Sequence, residues 1–415
     1  MLTLLLALAC NNTPDSKSAE EADTDTDSDT DTDSDTDTDT DTDTDTDTDT
    51  DTDVVDCLYT SSGYGESGDV DVTVEVIASG LATPWGLGWL PGGDMLLTER
   101  DGLLSRIDAE TGVVETIATV SITASGEGGL LGLAVHPEFE DNRWFYLYYT
   151  TDNPDGAGQI NRVERWVLDE SGTSAVADRL IVEGIPARQY HNGGRLRFGP
   201  DGYLYVGTGD AGSPDASQDL DSLAGKVLRV DEDGGVPSGS PFGSEVWLWG
   251  VRNTQGFDWR SSDVMAVTDH GPSGLGNEEG RSGHDEVSIV RSGDNLGWPG
   301  IYACEEAEGS VTPAATWSDA MPPGGAAFYT GSEIPEWSGD LLIGVMGFSD
   351  DAPHLHRLRF DDEGRVTVSE TYLEQAYGRL REVVMGPDGG LYVTTSNCDG
   401  RGDCGDGDRV LRIGR

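Results

Sequence analysis

The chain has 415 residues and a formal net charge of −53 at pH 7. Met1–Asp53 holds nineteen acids and one lysine, a charge of −18, which leaves −35 on Val54–Arg415; the foldable part is itself acidic and repels phosphate backbones and anionic headgroups, so nucleic acid is not an expected partner. The sequence has no run long and apolar enough for a spanning helix, and 57 glycines with ten tryptophans among short apolar runs point to many strands and tight turns.

In chain order, Met1–Ala9 reads MLTLLLALA, the apolar core and small-residue end of a secretion signal, although no Lys or Arg precedes it. Ala7-Leu8-Ala9-Cys10 resembles a bacterial lipobox, which makes Cys10 the expected acylation site and the cell envelope (periplasm or outer surface) the expected location. Asp23–Asp53 is almost pure Asp-Thr. It has no apolar residue to bury and dense like charge, so it reads as an extended, self-repelling tether with only diffuse cation condensation. The expected organisation is a signal and lipobox over residues 1–10, an acidic linker over 11–56 and one folded domain over 57–415.

Four cysteines follow Cys10. In an exported chain they suit two disulfides, with three possible pairings. The local pair Cys398–Cys404, closing CDGRGDC, is preferred and leaves Cys57–Cys304; the spacings match no zinc pattern.

One phrase recurs along the domain. Gly199–Asp210 reads GPDGYLYVGTGD, Gly386–Asn397 reads GPDGGLYVTTSN, Leu90–Glu99 is a weaker copy and Pro137–Thr150 a variant with a longer turn. Each is a Pro/Asp/Gly turn followed by an apolar or alternating strand. Such repeats mean a solenoid, propeller or array, and the irregular spacing disfavours a solenoid.

Between the repeats lie ATPWGLGWLPGGDMLLTE (Ala82–Glu99), GEGGLLGLAVHPEF (Gly126–Phe139), HNGGRLRF from His191, LAGKVLRV (Leu223–Val230), GVRNTQGF (Gly250–Phe257), HGP (His270–Pro272), DNLGWP (Asp294–Pro299) and RLREVVMGPD (Arg379–Asp388). This ordered set resembles the soluble pyrroloquinoline-quinone (PQQ) sugar dehydrogenases of the glucose/sorbosone type, from about Val76 to the C-terminus. The resemblance implies an all-β fold, a six-bladed propeller of four-stranded antiparallel blades of about 60 residues, with the site at the central channel. It implies oxidation of an aldose to its lactone, with PQQ and Ca²⁺ as cofactors and an external electron acceptor as partner.

The residues carry this chemistry as follows. His191 sits in a glycine-rich loop, and imidazole is the natural proton acceptor near neutral pH; alone it reads as a turn histidine, and the resemblance makes it the catalytic base. Asp210 caps the following strand, and by resemblance it orients His191 and touches substrate. Arg252 and Asn253 are loop caps on their own; the family implies that both hold the cofactor and that Arg252 polarises the quinone carbonyl. Thr254 stands where proline is usual. Arg379 and Arg381 alternate on one strand face and need anionic partners, either the protein's own acids or, by resemblance, cofactor carboxylates. The Gly271 and Pro272 carbonyls match a calcium site, and Glu127 a substrate contact that is glutamine in some relatives.

One departure stands out. Where the family has a cofactor-binding lysine, this chain reads IGVMGFSDDAPHLHRL, with Gly347 near that position and Asp350-Asp351 following. His354 and His356 form an HxH pair, read as a surface strand in preference to a metal site. Two alternatives remain at the level of sequence: a non-catalytic cell-surface propeller that binds glycan or protein, and a calcium-dependent lactonase.

Overall fold

The computed structural model describes residues 57–274, 278, 280–347 and 353–415. The expectations for the signal, Cys10 and the Asp-Thr linker, and for Asp350-Asp351, fall outside these residues. Six antiparallel sheets follow one another as the blades of a propeller. The first blade is Pro84–Trp89, Met95–Glu99, Leu103–Ile107 and Val114–Thr119; the second is Leu130–Val135, Trp144–Asp152, Gln159–Leu168 and Ala175–Pro186. The third runs Leu196–Phe198, Leu204–Gly207, Lys226–Val230 and Val246–Trp249, and the fourth Gly256–Trp259, Met265–Asp269, Asp285–Val290 and Ala315–Trp317. Pro323–Phe328, Leu341–Val345, His354–Phe360 and Val366–Tyr372 make the fifth. Leu380–Met385, Leu391–Thr395 and Asp408–Gly414 make three strands of the sixth.

The entry segment closes the ring. Thr73–Leu81 pairs antiparallel with Asp408–Gly414 as the outer strand of the sixth blade, so the start and end of the domain share one sheet. Before that, Leu58–Thr60 adds a parallel fifth strand to blade four and Glu66–Ser67 adds one to blade five. The Cys57–Cys304 disulfide, as expected, pins the beginning of this strap.

The repeated phrase is the hairpin between the first and second strands of a blade. Asp201 Oδ1 accepts the Tyr203 N–H and Asp388 Oδ1 the Gly390 N–H, while the intervening Gly202 and Gly389 take φ of +80° and +82°. The other carboxylate oxygen receives a tyrosine hydroxyl and an arginine from the same blade: Tyr205 and Arg229 for Asp201, Tyr392 and Arg412 for Asp388. In the Pro137–Thr150 variant the longer turn contains the short helix Phe139–Asn142.

Apolar side chains from facing sheets pack into six clusters, one between each pair of neighbouring blades. The last of these, with Ala78, Leu81, Leu87, Met95 and Tyr392, joins blade six to blade one. Burial of this kind supplies the main stabilisation, about 25 cal/mol per Å² of apolar surface. His354 and His356 are a correction to the sequence reading. They do not lie on a surface strand; both are fully buried, with His354 Nε2 and His356 Nδ1 3.0 Å apart and His356 Nε2 3.1 Å from Ser369 Oγ. Alternation put both on one strand face, and that face packs on blade four and the strap: the His356 ring is 5.0 Å from Trp317 and the His354 ring 5.2 Å from Tyr64.

Candidate active site

His191 lies between the second and third blades with φ of +58°, a left-handed conformation that a non-glycine residue keeps only when its surroundings hold it. They do so on both sides. Its N–H donates to Glu127 Oε2 (3.0 Å), and its carbonyl accepts the Ala211 N–H (3.1 Å). Gly209 packs so closely that a Cβ there would sit 2.1 Å from the His191 carbonyl oxygen, so this position requires glycine. His191 Nδ1 is 2.7 Å from Asp210 Oδ1. A carboxylate acceptor puts the proton on Nδ1 and leaves Nε2 as the basic edge. Asp210 is fully buried, and its oxygens also accept the Gly212 N–H (2.7 Å) and the Trp298 indole N–H (2.9 Å).

The loop before Gly256–Trp259 carries Arg252 and Asn253. Their backbone N–H groups donate to the two oxygens of Asp269, at 2.7 and 2.6 Å. Burial pushes the Asp269 carboxyl up to about 7 against these bonds. The Arg252 guanidinium bonds Glu278 Oε1 (2.8 and 2.5 Å), Ser273 Oγ (2.9 Å) and the His270 carbonyl (3.2 Å). Asn253 Oδ1 accepts the Gly193 N–H at 2.9 Å, which ties this loop to the one bearing His191. Burial also holds His270 down to about 3, so it is neutral, and its Nε2 donates to the Pro323 carbonyl at 2.6 Å. Asp285 fixes the adjoining turn by accepting the N–H groups of Gly271 (2.9 Å) and Met321 (2.6 Å).

From blade six come Arg379, just ahead of Leu380–Met385, and Arg381 within it. Both reach Asp399: Arg379 Nη2 at 2.9 Å and Arg381 Nη2 at 3.4 Å from Oδ2. Arg379 also donates to the carbonyls of Met346 and Gly347, and Arg381 to Gln255 Oε1 (2.8 Å) and Ser396 Oγ (2.9 Å). Burial pulls the Arg381 guanidinium down to about 10, with Asp399 opposing. For Asp399 burial acts upward, but Arg381 and Arg379 outweigh it and hold the carboxyl below its ordinary range. On the facing side both Arg401 Nη atoms lie 3.1 Å from Glu127 Oε1. Burial alone would raise the Glu127 carboxyl; the Arg401 charge, helped by the His191 backbone N–H, brings it below the usual value.

These side chains share one cavity of about 460 Å³. His191, Arg252, Asn253, Arg379, Arg381, Glu127, Gly271 and Pro272 all line it, with Trp85, Tyr190 and Met346 as apolar wall. A glucose/sorbosone dehydrogenase family model matches residues 81–402, which span every one of these positions. The chain belongs to the glucose/sorbosone dehydrogenase family. It is 32% identical over 355 residues to the aldose sugar dehydrogenase YliI of Escherichia coli K12, covering 79% of this chain and 91% of that one. The quinoprotein glucose dehydrogenase B of Acinetobacter calcoaceticus is 30% identical over 285 residues, covering 61% and 58%. Among solved structures, the PQQ-bound aldose sugar dehydrogenase of Streptomyces coelicolor superposes with a TM-score of 0.72 at 35% identity, over 84% of this chain and 99% of that one.

Against this glucose/sorbosone dehydrogenase frame, one sequence expectation needs correction. Asp210 does not line the cavity, so it serves His191 from behind and has no surface to offer a substrate. Of the two readings of Arg379 and Arg381, pairing to one of the protein's own acids is observed, at Asp399, and both side chains also line the cavity. Sequence reading missed Trp298, Glu278, Asp269, Asp285, Asp399 and Arg401. Trp298 stood in the quoted DNLGWP motif, Asp285 in the Asp285-Glu286-Val287 segment that also carries the resemblance, and Asp399 and Arg401 between the paired cysteines; Glu278 and Asp269 carried no local signal.

Proposed function

We propose that this protein is a PQQ-dependent aldose dehydrogenase that oxidises a sugar at its anomeric carbon to the lactone. The observation that supports it is the convergence of the His191 imidazole with the Arg252, Arg379 and Arg381 guanidinium groups on one cavity. The lining fits a flat polyanion: fork-shaped donors suit carboxylates, Trp85 offers an apolar surface, and about 460 Å³ lies in the range of small-molecule sites. The Gly271 and Pro272 carbonyls fit a calcium ion; Pro272 O accepts the Gly283 N–H at 3.0 Å and keeps a second lone pair. When bound, PQQ supplies the two-electron acceptor and Ca²⁺ the Lewis acid.

The protein's own groups do the rest. His191 Nε2 takes the proton of the anomeric hydroxyl as the C–H hydride leaves, with Asp210 holding the Nδ1 proton and the ring orientation. Arg252 stabilises negative charge developing on its side of the cavity, pre-aligned by Glu278 and Ser273. Glu127, on the cavity rim, accepts hydrogen bonds from sugar hydroxyls. Electrons leave to an external acceptor. The test is titration of the purified chain with PQQ and Ca²⁺, then dye reduction over a panel of aldoses. Saturable quinone binding and sugar-dependent reduction support the proposal; neither appearing over a broad panel refutes it. That Asp399 and two carbonyls already engage Arg379 and Arg381 favours a second reading, a ligand-binding propeller without quinone, and the same titration separates the two. For the N-terminus we propose export and acylation at Cys10, tested by the mass of the mature N-terminal peptide.

A further inference from the structure

The loop closed by Cys398–Cys404 spans six positions in sequence, yet it reaches both sides of the cavity. Asp399 Oδ2 receives Arg379 and Arg381, and the Asp399 carbonyl receives Arg100 Nη2 at 3.4 Å. Asp399 Oδ1 turns back to accept the Arg401 N–H at 3.0 Å. Arg401 then bonds Glu127, whose other oxygen accepts the His191 N–H. A continuous chain of contacts therefore runs from the loop to the residue proposed as the base. The loop is also a partition: Arg379 and Arg401 line both the central cavity and an outer groove of about 600 Å³, whereas neither cysteine lines the central cavity.

Nothing in the loop's own composition makes it stiff. Residues 398–407 read CDGRGDCGDG, with four glycines, and residues 400–406 are exposed. Glycine loses more backbone freedom on ordering than any other residue, and an exposed loop has no apolar burial to offset that loss. Besides the Asp399 and Arg401 contacts above, its anchors are the bonds of Asn397 N and Cys398 N to Asp408 at the base (2.6 and 3.1 Å), the Gly407 N–H on the Cys404 carbonyl (2.7 Å) and the cross-link itself.

We infer that the Cys398–Cys404 loop is the positioning element of the cavity: its disulfide fixes Asp399 against Arg379 and Arg381, and Arg401 against Glu127, so that quinone affinity and the seating of His191 depend on a cross-link outside the cavity. The affinity half rests on the functional reading above; the seating half does not.

The experiment uses the full chain with Cys398→Ser and Cys404→Ser together, leaving Cys57–Cys304 intact. PQQ binding is titrated by tryptophan fluorescence, and amide hydrogen exchange is followed over residues 126–129 and 187–193. The expected result is at least tenfold weaker PQQ binding and at least tenfold faster exchange in both segments, with unchanged far-ultraviolet circular dichroism and blade-strand exchange. Arg401→Gln, which leaves Asp399 in place, should speed exchange at 187–193 with a smaller change in Kd. A double-serine variant with wild-type Kd and wild-type exchange overturns the inference. Loss of the blade signals as well would mean a general structural role and would also overturn it. If the wild-type chain binds no PQQ, the functional reading and the affinity half fall together, while exchange at 187–193 still decides the seating half.

Discussion

Replacing Asp210 by asparagine tests the proposed base at its support. Asp210 Oδ1 accepts two N–H groups, from His191 Nδ1 (2.7 Å) and Gly212 (2.7 Å), and Oδ2 accepts one, from Trp298 (2.9 Å). An amide has one acceptor oxygen and one NH₂, so no orientation serves all three donors. With its oxygen toward His191, the NH₂ confronts the indole N–H, and a buried donor left unmet costs about 1–3 kcal/mol. With its NH₂ toward His191, Gly212 is left unmet and the imidazole must move its proton to Nε2, which removes the basic lone pair. The two orientations are close in cost, and neither provides the carboxylate that stabilises an imidazolium. A general base is typically worth about 10²–10⁴-fold, so Asp210→Asn should lower kcat by that amount while leaving PQQ affinity near wild type. Trp298→Phe removes the indole donor and releases the NH₂ toward the phenyl ring. The double variant should then recover at least tenfold over Asp210→Asn alone, although Trp298→Phe by itself lowers kcat. Steady-state dye reduction at saturating PQQ and aldose measures all four proteins. An Asp210→Asn enzyme within about threefold of wild type, or a double variant no faster than Asp210→Asn, refutes the reasoning.

Arg381→Gln removes a buried guanidinium that donates to Gln255, Ser396 and Asp399 and lines the cavity; losing charge-assisted bonds of about 1.5–3 kcal/mol should weaken PQQ binding by about 10- to 150-fold, read by fluorescence titration. Unaltered binding would remove Arg381 from the cofactor site. Lys226 is fully buried, with Nζ on the carbonyls of Ala216, Ser217 and Ala224, and burial depresses its pKa from 10.5 to about 8. Between those values the unfolded chain keeps a proton that the folded chain has released, so stability rises with pH. Relative to Lys226→Met, the wild type should gain up to about 3 kcal/mol between pH 8 and 10.5 by denaturant titration, and a constant difference would refute the shift. Cys57 and Cys304 are 247 positions apart, and chain-entropy arguments make such a closure worth about 5 kcal/mol. Serine at both should lower thermal stability and free the strap on blades four and five, seen as faster amide exchange at residues 58–67, while the blade cores stay protected.

The fold was legible because its signals are local. A GPDG turn with a tyrosine four residues beyond its aspartate carries its own hairpin geometry in blades three and six, and looser Pro/Gly/Asp turns marked the second strand of blades one and two. Blades four and five use other turns, at 260–264 and 330–340, and only the family resemblance supplied the count of six. His191, Arg252, Asn253, Arg379 and Arg381 were found because each belongs to a recognisable phrase. Trp298, Asp269, Glu278 and Asp399 were not assigned roles because each acts through a partner 16 or more residues away, elsewhere in the same blade or on the neighbouring one, a separation no local pattern encodes.

That hidden set matters to the electrostatics. In a chain of net charge −53, the cavity is lined by five arginines, at 100, 252, 379, 381 and 401, against the acids Glu127, Glu278, Asp285 and Asp399. An isolated cluster of buried guanidinium groups would be prohibitive to fold. Here Glu278 neutralises Arg252, Glu127 neutralises Arg401, and Arg379 and Arg381 share Asp399, which leaves that trio one net positive charge. These pairs lower the cost of burying the arginines, and the proposed polyanionic ligand would bind by adding acceptors to guanidinium groups that have already lost their water. Much of the desolvation cost is met during folding, so each new carboxylate contact acts in a low-dielectric site where charge-assisted bonds are strongest. On this account, Asp399→Asn should destabilise the ligand-free protein and also weaken its hold on a carboxylate ligand, because Arg379 and Arg381 lose the partner that keeps them aligned on the cavity. Unfolding free energy and PQQ affinity, measured in parallel on that one variant, should both fall, and tighter binding in a destabilised protein would contradict the account.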